Sequence, residues 1–203
     1  MQQISLALFI VAHTILSVNP LQAGPDKKRG WRPATYRGLT IGKSTRADML
    51  WILGKPLSSG PSADQDPPKP IIWNDYGMIK GELPGRLAVE VDSRNDRIVS
   101  ISIAPEQMSK EDAIRYFGKE YLLMGYEFCP SQSLDADVGL VYEDPKSSSI
   151  DYLEYRSRGI AIHLDYQGNV NAIYYVYEPI GLASKAECKR AVGRLSRLKR
   201  SRI

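Results

Sequence analysis

The chain has 203 residues, of which 43% are hydrophobic and 25% charged, with a formal net charge of +4. This length accommodates one ordinary domain or two small ones, and the composition excludes a wholly disordered or collagen-like chain. Two cysteines are too few for a disulfide-rich scaffold. Beyond the amino terminus the sequence has no uncharged apolar stretch of about 18 residues, which excludes a multispanning membrane protein.

The amino-terminal segment has the pattern of a signal peptide. Residues 1–25 carry no Lys, Arg, Asp or Glu, and an apolar core of about 15 residues precedes Asn19-Pro20. Ala23 suits the position before a cleavage site, so residues 1–23 are the predicted signal and residues 24–35 a basic linker. An uncleaved anchor is the alternative. Either way we expect an exported protein, periplasmic or secreted, and no cysteine near the cleavage point offers a lipid attachment.

Two segments of the remaining chain align without a gap. Thr45–Lys55 and Ser109–Lys119 each begin with a hydroxyl residue, carry an acid three positions later and end at glycine. A hydroxyl N-cap, an acid in the first turn and a glycine after the last turn are typical of a short helix. We therefore predict two equivalent helices, with Gly54 and Gly118 in the left-handed conformation.

Each predicted helix is followed by a similar series of strands. Leu87–Asp92 and Ile160–Asp165 alternate in polarity, and each precedes a turn and a closing strand. The predicted fold class is therefore α+β: two tandem units, residues 36–103 and 104–180, each with short helices on one face of a three- or four-stranded antiparallel sheet. We expect the opposite face to stay open for binding. The proline-rich segment 56–70 is predicted to be a loop.

The residues Gly38–Pro56, Trp73–Tyr76 and Leu87–Asp92 resemble the SmpA/OmlA (BamE-like) domain, which has a glycine before a helix, an LGxP sequence after it, and a strand ending in Asp. The tandem arrangement resembles the β-lactamase-inhibitor-like fold. This resemblance implies an exported, non-enzymatic binding or scaffolding protein of the bacterial cell envelope. A secreted enzyme inhibitor is the alternative. The chain departs from the family's lipoproteins because it has no cysteine at the start of the predicted mature protein.

Catalytic and cofactor motifs are weak. Gly38–Ser44 has three residues between its glycines where a P-loop has four, so a glycine turn before the helix explains it better. His163 is predicted on the polar face of its strand, without a second histidine or a nucleophile motif. A secreted hydrolase centred on His163 is therefore the least favoured hypothesis. We predict no catalytic residue, no metal site and no cofactor.

Tyrosine is concentrated in the second half, where ten of the twelve lie after residue 104. Tyrosine is favoured at protein interfaces because its ring offers a large rigid area with a polar tip. The predicted partner-binding surface on the open sheet face comprises Tyr152, Tyr166, Tyr174 and the neighbouring His163. Ordinary strand propensity is the alternative explanation.

The segment 181–203 is predicted to be a basic tail. Residues 185–203 hold eight Lys or Arg against one Glu, whereas residues 38–184 hold 14 basic and 21 acidic residues. Part of the tail could form an amphipathic helix that contacts an anionic membrane surface, and a solvated end is the alternative. Nucleic acid is not expected as a partner of an exported protein. The candidate contact residues are Lys189, Arg190, Arg194, Arg197, Lys199 and Arg200.

The two cysteines are candidates for a disulfide. Export would place Cys129 and Cys188 in an oxidising compartment, where an even number of cysteines favours pairing. Two separate thiols are the alternative. Neither cysteine belongs to a CxxC motif, so redox catalysis has little support.

Overall fold

The computed structural model describes residues 30–61, 70–129, 140–146 and 149–200. The predicted signal peptide, its cleavage site and the first half of the basic linker lie outside the described residues. The described residues form two short amino-terminal strands, three helices and nine further strands. Their bounds are β1 Thr35–Tyr36, β2 Leu39–Thr40, α1 Arg46–Leu53, β3 Ser58–Pro61, β4 Ile71–Ile79, β5 Gly85–Asp92, β6 Arg97–Pro105, α2 Lys110–Phe117, β7 Leu122–Phe128, β8 Val141–Glu143, β9 Ile150–Tyr155, β10 Ile160–Leu164, β11 Val170–Val176 and α3 Lys185–Arg200.

The predicted fold class is wrong, because the strands form one large sheet. Strands β3 to β11 make a nine-stranded sheet in the order β3-β4-β5-β6-β11-β10-β9-β7-β8, and β1 and β2 form a separate two-stranded sheet. All neighbouring strands are antiparallel. The protein is therefore mostly β, and the strands of both predicted units belong to a single sheet.

The two halves of the sheet join at β6 and β11. Ile103 lies opposite Ile173 and Ile101 opposite Tyr175, so apolar side chains of both strands meet on one face. An unpaired strand edge leaves a row of backbone donors and acceptors open, and pairing the last strand of each half removes two such edges. This pairing joins the two halves into one continuous sheet.

The main core lies between the sheet and helices α1 and α2. Met49 of α1 and both Ala113 and Phe117 of α2 are buried against apolar side chains of β5, β6, β10 and β11. The amino-terminal hairpin contributes Tyr36 and Leu39 to the same core. Burying these side chains removes a large apolar area from water, which is the main favourable contribution to folding.

Both predicted helices are present and are closed by capping boxes. Thr45 and Ser109 accept a hydrogen bond from the backbone amide of Asp48 and Asp112, whose carboxylates accept from the capping residue in return. These bonds satisfy amides that a helix leaves unpaired at its amino end.

The helices end differently from the prediction. Gly54 has φ 80° and ψ −165°, and Gly118 has φ 95° and ψ 178°. Positive φ holds as predicted, but ψ lies far from the left-handed helical region, in a part of conformational space that is essentially restricted to glycine. The extended ψ directs the chain away from each helix.

A pair of matched tyrosine contacts relates the two halves of the fold. The Tyr76 hydroxyl donates to the carbonyl oxygen of Gly54 at 3.0 Å, and the Tyr155 hydroxyl donates to that of Gly118 at 2.8 Å. In each half, a strand tyrosine therefore donates a hydrogen bond to the carbonyl oxygen of the glycine that ends the helix. The equivalence predicted from the aligned segments thus extends to side-chain contacts.

The segments predicted as loops and tail contain regular structure. Ser58–Pro61, within the predicted proline-rich loop, is strand β3 at one edge of the sheet, while residues 62–69 lie outside the described residues. The tail forms α3 over Lys185–Arg200. Cys129 and Cys188 are joined in a disulfide with a Cα–Cα distance of 5.7 Å, as predicted.

We expect Ser109→Ala to lower the free energy of unfolding by about 1 kcal/mol, because it removes one half of the α2 capping box. Thermal unfolding followed by circular dichroism measures this change. Ser109→Thr keeps a hydroxyl at the cap and should stay close to the wild type. Equal stability of Ser109→Ala and the wild type would show that the cap contributes nothing.

Candidate functional site

A cleft of about 750 Å³ opens between the amino-terminal hairpin, the end of α2 and the turn before β10. Two arginines and three tyrosines give the cleft its chemical character, and we call it the arginine–tyrosine cleft. Its lining residues are Pro33, Thr35, Tyr36, Arg37, Gly81, Glu82, Leu83, Tyr116, Phe117, Ser157, Arg158, Ile160 and Tyr175.

Arg37 stands at the tip of a two-residue hairpin turn. Tyr36 and Leu39 are paired, so Arg37 and Gly38 form the turn, with φ of 47° and 87°. Positive φ at both central residues is the requirement of a type I′ turn, in which Asn-Gly is the favoured pair and arginine is unusual. The Arg37 guanidinium lies 5.4 Å from the centre of the Tyr36 ring.

Arg158 is held by the end of α2. It belongs to a single 3-10 turn, Arg156–Arg158, that is ended by Gly159 in the left-handed conformation. Its Nη1 donates to the Phe117 carbonyl oxygen at 2.7 Å, and its guanidinium lies 5.5 Å from the Phe117 ring centre. A cation at a helix carboxyl end is electrostatically favoured, so this contact fixes Arg158 at the cleft wall.

The cleft tyrosines are hydrogen-bond donors at neutral pH. Burial is the main cause that raises the pKa of Tyr36, of Tyr116 and of Tyr175. Arg37 opposes this shift at Tyr36, and Arg158 opposes it at Tyr116. The rings of Tyr36 and Tyr175 are 5.1 Å apart, and both arginines act on Tyr175, so these groups converge on one region.

The arginines of the cleft are not neutralised by carboxylates. Within the described residues, neither Arg37 nor Arg158 forms an ion pair. Glu82 is the only acid among the lining residues, and it accepts a hydrogen bond from the Tyr116 hydroxyl at 3.3 Å. Two guanidinium groups with several N–H donors, beside neutral tyrosine hydroxyls, form an arrangement that attracts a carboxylate or a phosphate.

The predicted partner-binding residues are brought together only in part. Tyr152 stacks on His163 with ring centres 5.1 Å apart, and Tyr174 lies 6.4 Å from Tyr152. Tyr166 is 96% exposed in the turn after β10 and is not part of this group. Tyr152 is only 7% exposed, which contradicts its expected place on an open surface.

The amino-terminal segment explains why Tyr152 is buried. Trp31 packs with Tyr126, Tyr152, Ala161 and Val176 on the sheet face opposite α1 and α2. Trp31 therefore covers the predicted open face around Tyr152, whereas His163 and Tyr174 stay partly exposed. Partner binding by Tyr166, Tyr174 and His163 stays a prediction.

In the described structure, the side chains beside the His163 ring are those of Asn171 and Tyr152. The Asn171 side-chain nitrogen lies 3.2 Å from its Nδ1, and Tyr152 covers its ring. Burial lowers the pKa of His163, while the negative charge of Asp165 opposes the shift. Among the described residues, no three His, Cys, Asp or Glu side chains are grouped so that they could hold a metal ion.

Asp92 and Asp165, at the ends of β5 and β10, accept hydrogen bonds from the turns that follow. The Arg94 guanidinium and backbone amide hydrogen-bond to Asp92 and lower its pKa to about 2. Asp165 accepts from the backbone amides of Asn169 and Gln167, which lower its pKa in the same way. Both carboxylates therefore stabilise the turn that follows their strand.

The candidate residues for anionic-surface contact all lie in α3. Lys189 and Arg190 are exposed, whereas the side chains of Arg194, Arg197, Lys199 and Arg200 lie outside the described part of the helix. No helix in the described ranges has both the length and the apolar composition needed to cross a membrane.

The sequence did not indicate the arginine–tyrosine cleft. Its lining comes from five separate segments of the chain, and only the fold brings them together. The available local signal was Arg37-Gly38 between two short runs of strand-forming residues, since Gly in such a pair favours a hairpin turn.

No protein-family model matches this sequence, and no curated protein matches it either. Among solved structures, the chain is similar to YjgB, a DUF4309 family protein from Bacillus subtilis, with 14% sequence identity and a TM-score of 0.39. The similarity covers 74% of this chain and 89% of that chain. A similarity this low carries no functional information.

The expected relationship to SmpA/OmlA (BamE-like) domains is therefore wrong. No family model supports it, and the chain forms a nine-stranded sheet in place of two small helix-and-sheet units. The quoted motif consists of helix caps, helix-ending glycines and alternating strand residues. Any short helix that leads into antiparallel strands needs these features, so they do not identify the family.

Proposed function

We propose that this protein is an exported, non-catalytic binding protein that holds an anionic ligand in the arginine–tyrosine cleft. The observation that supports this function is the convergence of Arg37, Arg158 and neutral tyrosines on one cleft without a matching set of carboxylates. Both arginines are exposed and form no ion pair with another described residue, so a bound anion would gain charge-assisted hydrogen bonds from them.

The shape of the cleft favours a ligand with an anionic group and an apolar body. Tyr116 and the edges of Tyr36 and Tyr175 provide aromatic surface beside the arginines. Sites for small ligands are typically lined by aromatic and apolar side chains, with a few polar groups that fix orientation. The carboxylate or phosphate would face Arg37 and Arg158, and the body would lie against the tyrosines.

Export is part of the proposal and is supported by two features. The predicted signal peptide provides a route out of the cytoplasm, and the Cys129–Cys188 disulfide is typical of a protein that folds in an oxidising compartment. The proposed place of action is therefore the periplasm or the external medium.

Titration with phenyl phosphate and benzoate, followed by NMR or calorimetry, tests the ligand class. Both anions should bind, whereas benzyl alcohol, a neutral compound of similar size, should bind far more weakly. Arg37→Asn should raise the Kd for phenyl phosphate by about tenfold or more, because it removes a charged hydrogen-bond donor.

Arg37→Asn is informative because it separates binding from folding. Asparagine adopts positive φ more easily than arginine and is favoured in a type I′ turn, so the hairpin should be at least as stable. Arg115→Gln is the matched control, because Arg115 is exposed on α2 outside the cleft. Equal affinity of Arg37→Asn and the wild type would contradict the cleft, and release of phosphate from phenyl phosphate would contradict a non-catalytic role.

A further inference from the structure

Helix α3 is fixed to the edge of the large sheet on one side. Cys188 is fully buried and bonded to Cys129, and Val192, one helical turn later, packs against Tyr142 beside them. The segment before α3 also pairs with β8, because the amide of Leu182 donates to the Val141 carbonyl at 2.9 Å. Cys188 and Val192 are therefore buried between α3 and the rest of the protein.

The exposed part of α3 is cationic. Lys185, Lys189 and Arg190 are exposed, and the chain continues with Arg194, Arg197, Lys199 and Arg200 within the same helix. Glu187 is the only acid of α3, and it accepts a hydrogen bond from the Ala183 amide at 3.0 Å. Only Arg190 approaches it, at 4.0 Å, so Lys185 and Lys189 have no carboxylate partner among the described residues.

We infer that α3 docks the protein on the anionic headgroups of a lipid bilayer. The contact is electrostatic, because Lys185, Lys189 and Arg190 are exposed, whereas Cys188 and Val192 are held against the sheet. This interaction surface is separate from the arginine–tyrosine cleft and does not depend on its ligand.

A bilayer suits this helix better than a nucleic acid does. Residues 38–184 have more acidic than basic side chains, so the body of the protein repels a polyanion that bends around it. Since α3 lies beyond β8, the last strand of the sheet, a flat surface contacts the helix while the acidic body stays away from it.

Co-sedimentation of the whole protein with lipid vesicles tests this inference. Vesicles containing phosphatidylglycerol should bind the protein, pure phosphatidylcholine vesicles should not, and raising the salt from about 0.1 M to about 0.5 M should abolish binding. Lys189→Gln combined with Arg190→Gln should weaken binding by about tenfold or more, since each cation near an anionic surface contributes independently.

The control is Lys55→Gln combined with Lys119→Gln. Both lysines are exposed, each follows the glycine that ends a helix, and both lie outside α3, so the net charge changes equally without touching the helix. All variants share the same amino terminus, which isolates the contribution of α3.

Three results would overturn the inference. One is equal loss of binding in the control and in the α3 variant. Another is salt-insensitive binding to both vesicle types, which would point to apolar insertion by the exposed Trp51 and Leu57. The third is binding to a duplex DNA without binding to anionic vesicles. Phenyl phosphate titration reports on the cleft separately, so failure of one proposal leaves the other intact.

Discussion

Replacing both cysteines, as Cys129→Ala and Cys188→Ala, should lower the free energy of unfolding by about 4 kcal/mol. The disulfide joins residues that are 59 positions apart, and a cross-link over so long a loop strongly restricts the unfolded chain. The same bond anchors α3, so its loss should also release the carboxyl-terminal helix from the sheet edge.

Urea unfolding followed by tryptophan fluorescence measures this loss, since Trp31 is only 3% exposed and reports on the folded state. Wild-type protein treated with a reductant is the control, because it loses the bond without a change of sequence. Reduced wild type and the double variant should unfold at similar urea concentrations. An unchanged midpoint after complete reduction would contradict the expected role of the disulfide.

The two helices and the residues that begin and end them could be predicted because their signals are local, although the conformation of the final glycines could not. A hydroxyl residue, an acid three positions later and a glycine after two turns lie within one short segment, and the structure uses each of them in α1 and α2. The alternating strands β5 and β10 were likewise visible as polarity patterns.

The assembly of the sheet could not be read from the sequence, because strand pairing depends on contacts between distant segments. Ile103 and Ile173 are 70 positions apart and face each other only because β6 pairs with β11. A strand that pairs on both sides and a strand at an open edge have the same polarity pattern. The polarity patterns therefore could not show that the two predicted sheets are joined into one.

The wrong prediction that Tyr152 lies on an open surface has a similar origin. Residues 24–35 have a basic composition and no periodic pattern, which indicated a linker. The backbone of Arg32 and Ala34 instead hydrogen-bonds to Arg156 and Val176 and carries Trp31 onto the sheet. Gly159 permits this approach, because any Cβ there would lie 2.3 Å from the Arg32 carbonyl oxygen.

A buried carboxylate supports the same region, and Glu154→Ala should lower the free energy of unfolding by about 3 kcal/mol. Glu154 is 1% exposed on β9. It accepts a hydrogen bond from the Tyr126 hydroxyl and another from Arg156 Nε at 2.7 Å. Arg156 also pairs with Glu143 at 3.2 Å, so one carboxylate remains near the guanidinium in the variant.

The expected loss is large because the partners of Glu154 are themselves enclosed. The Arg156 side chain is 18% exposed, and a partly buried cation that loses a carboxylate is poorly compensated by water. Since the Arg156 carbonyl accepts the amide of Arg32, a shift of this residue would also loosen the segment that carries Trp31.

Chemical unfolding of Glu154→Ala, Glu154→Gln and Glu120→Ala separates the contributions. Glutamine keeps the size and an acceptor but removes the charge, so its loss of stability should be intermediate. Glu120 is exposed and follows α2, and its replacement should change stability by less than about 0.5 kcal/mol. If Glu154→Ala were as stable as Glu120→Ala, the buried network would contribute nothing to stability, and Trp31 would have to be held by apolar contacts alone.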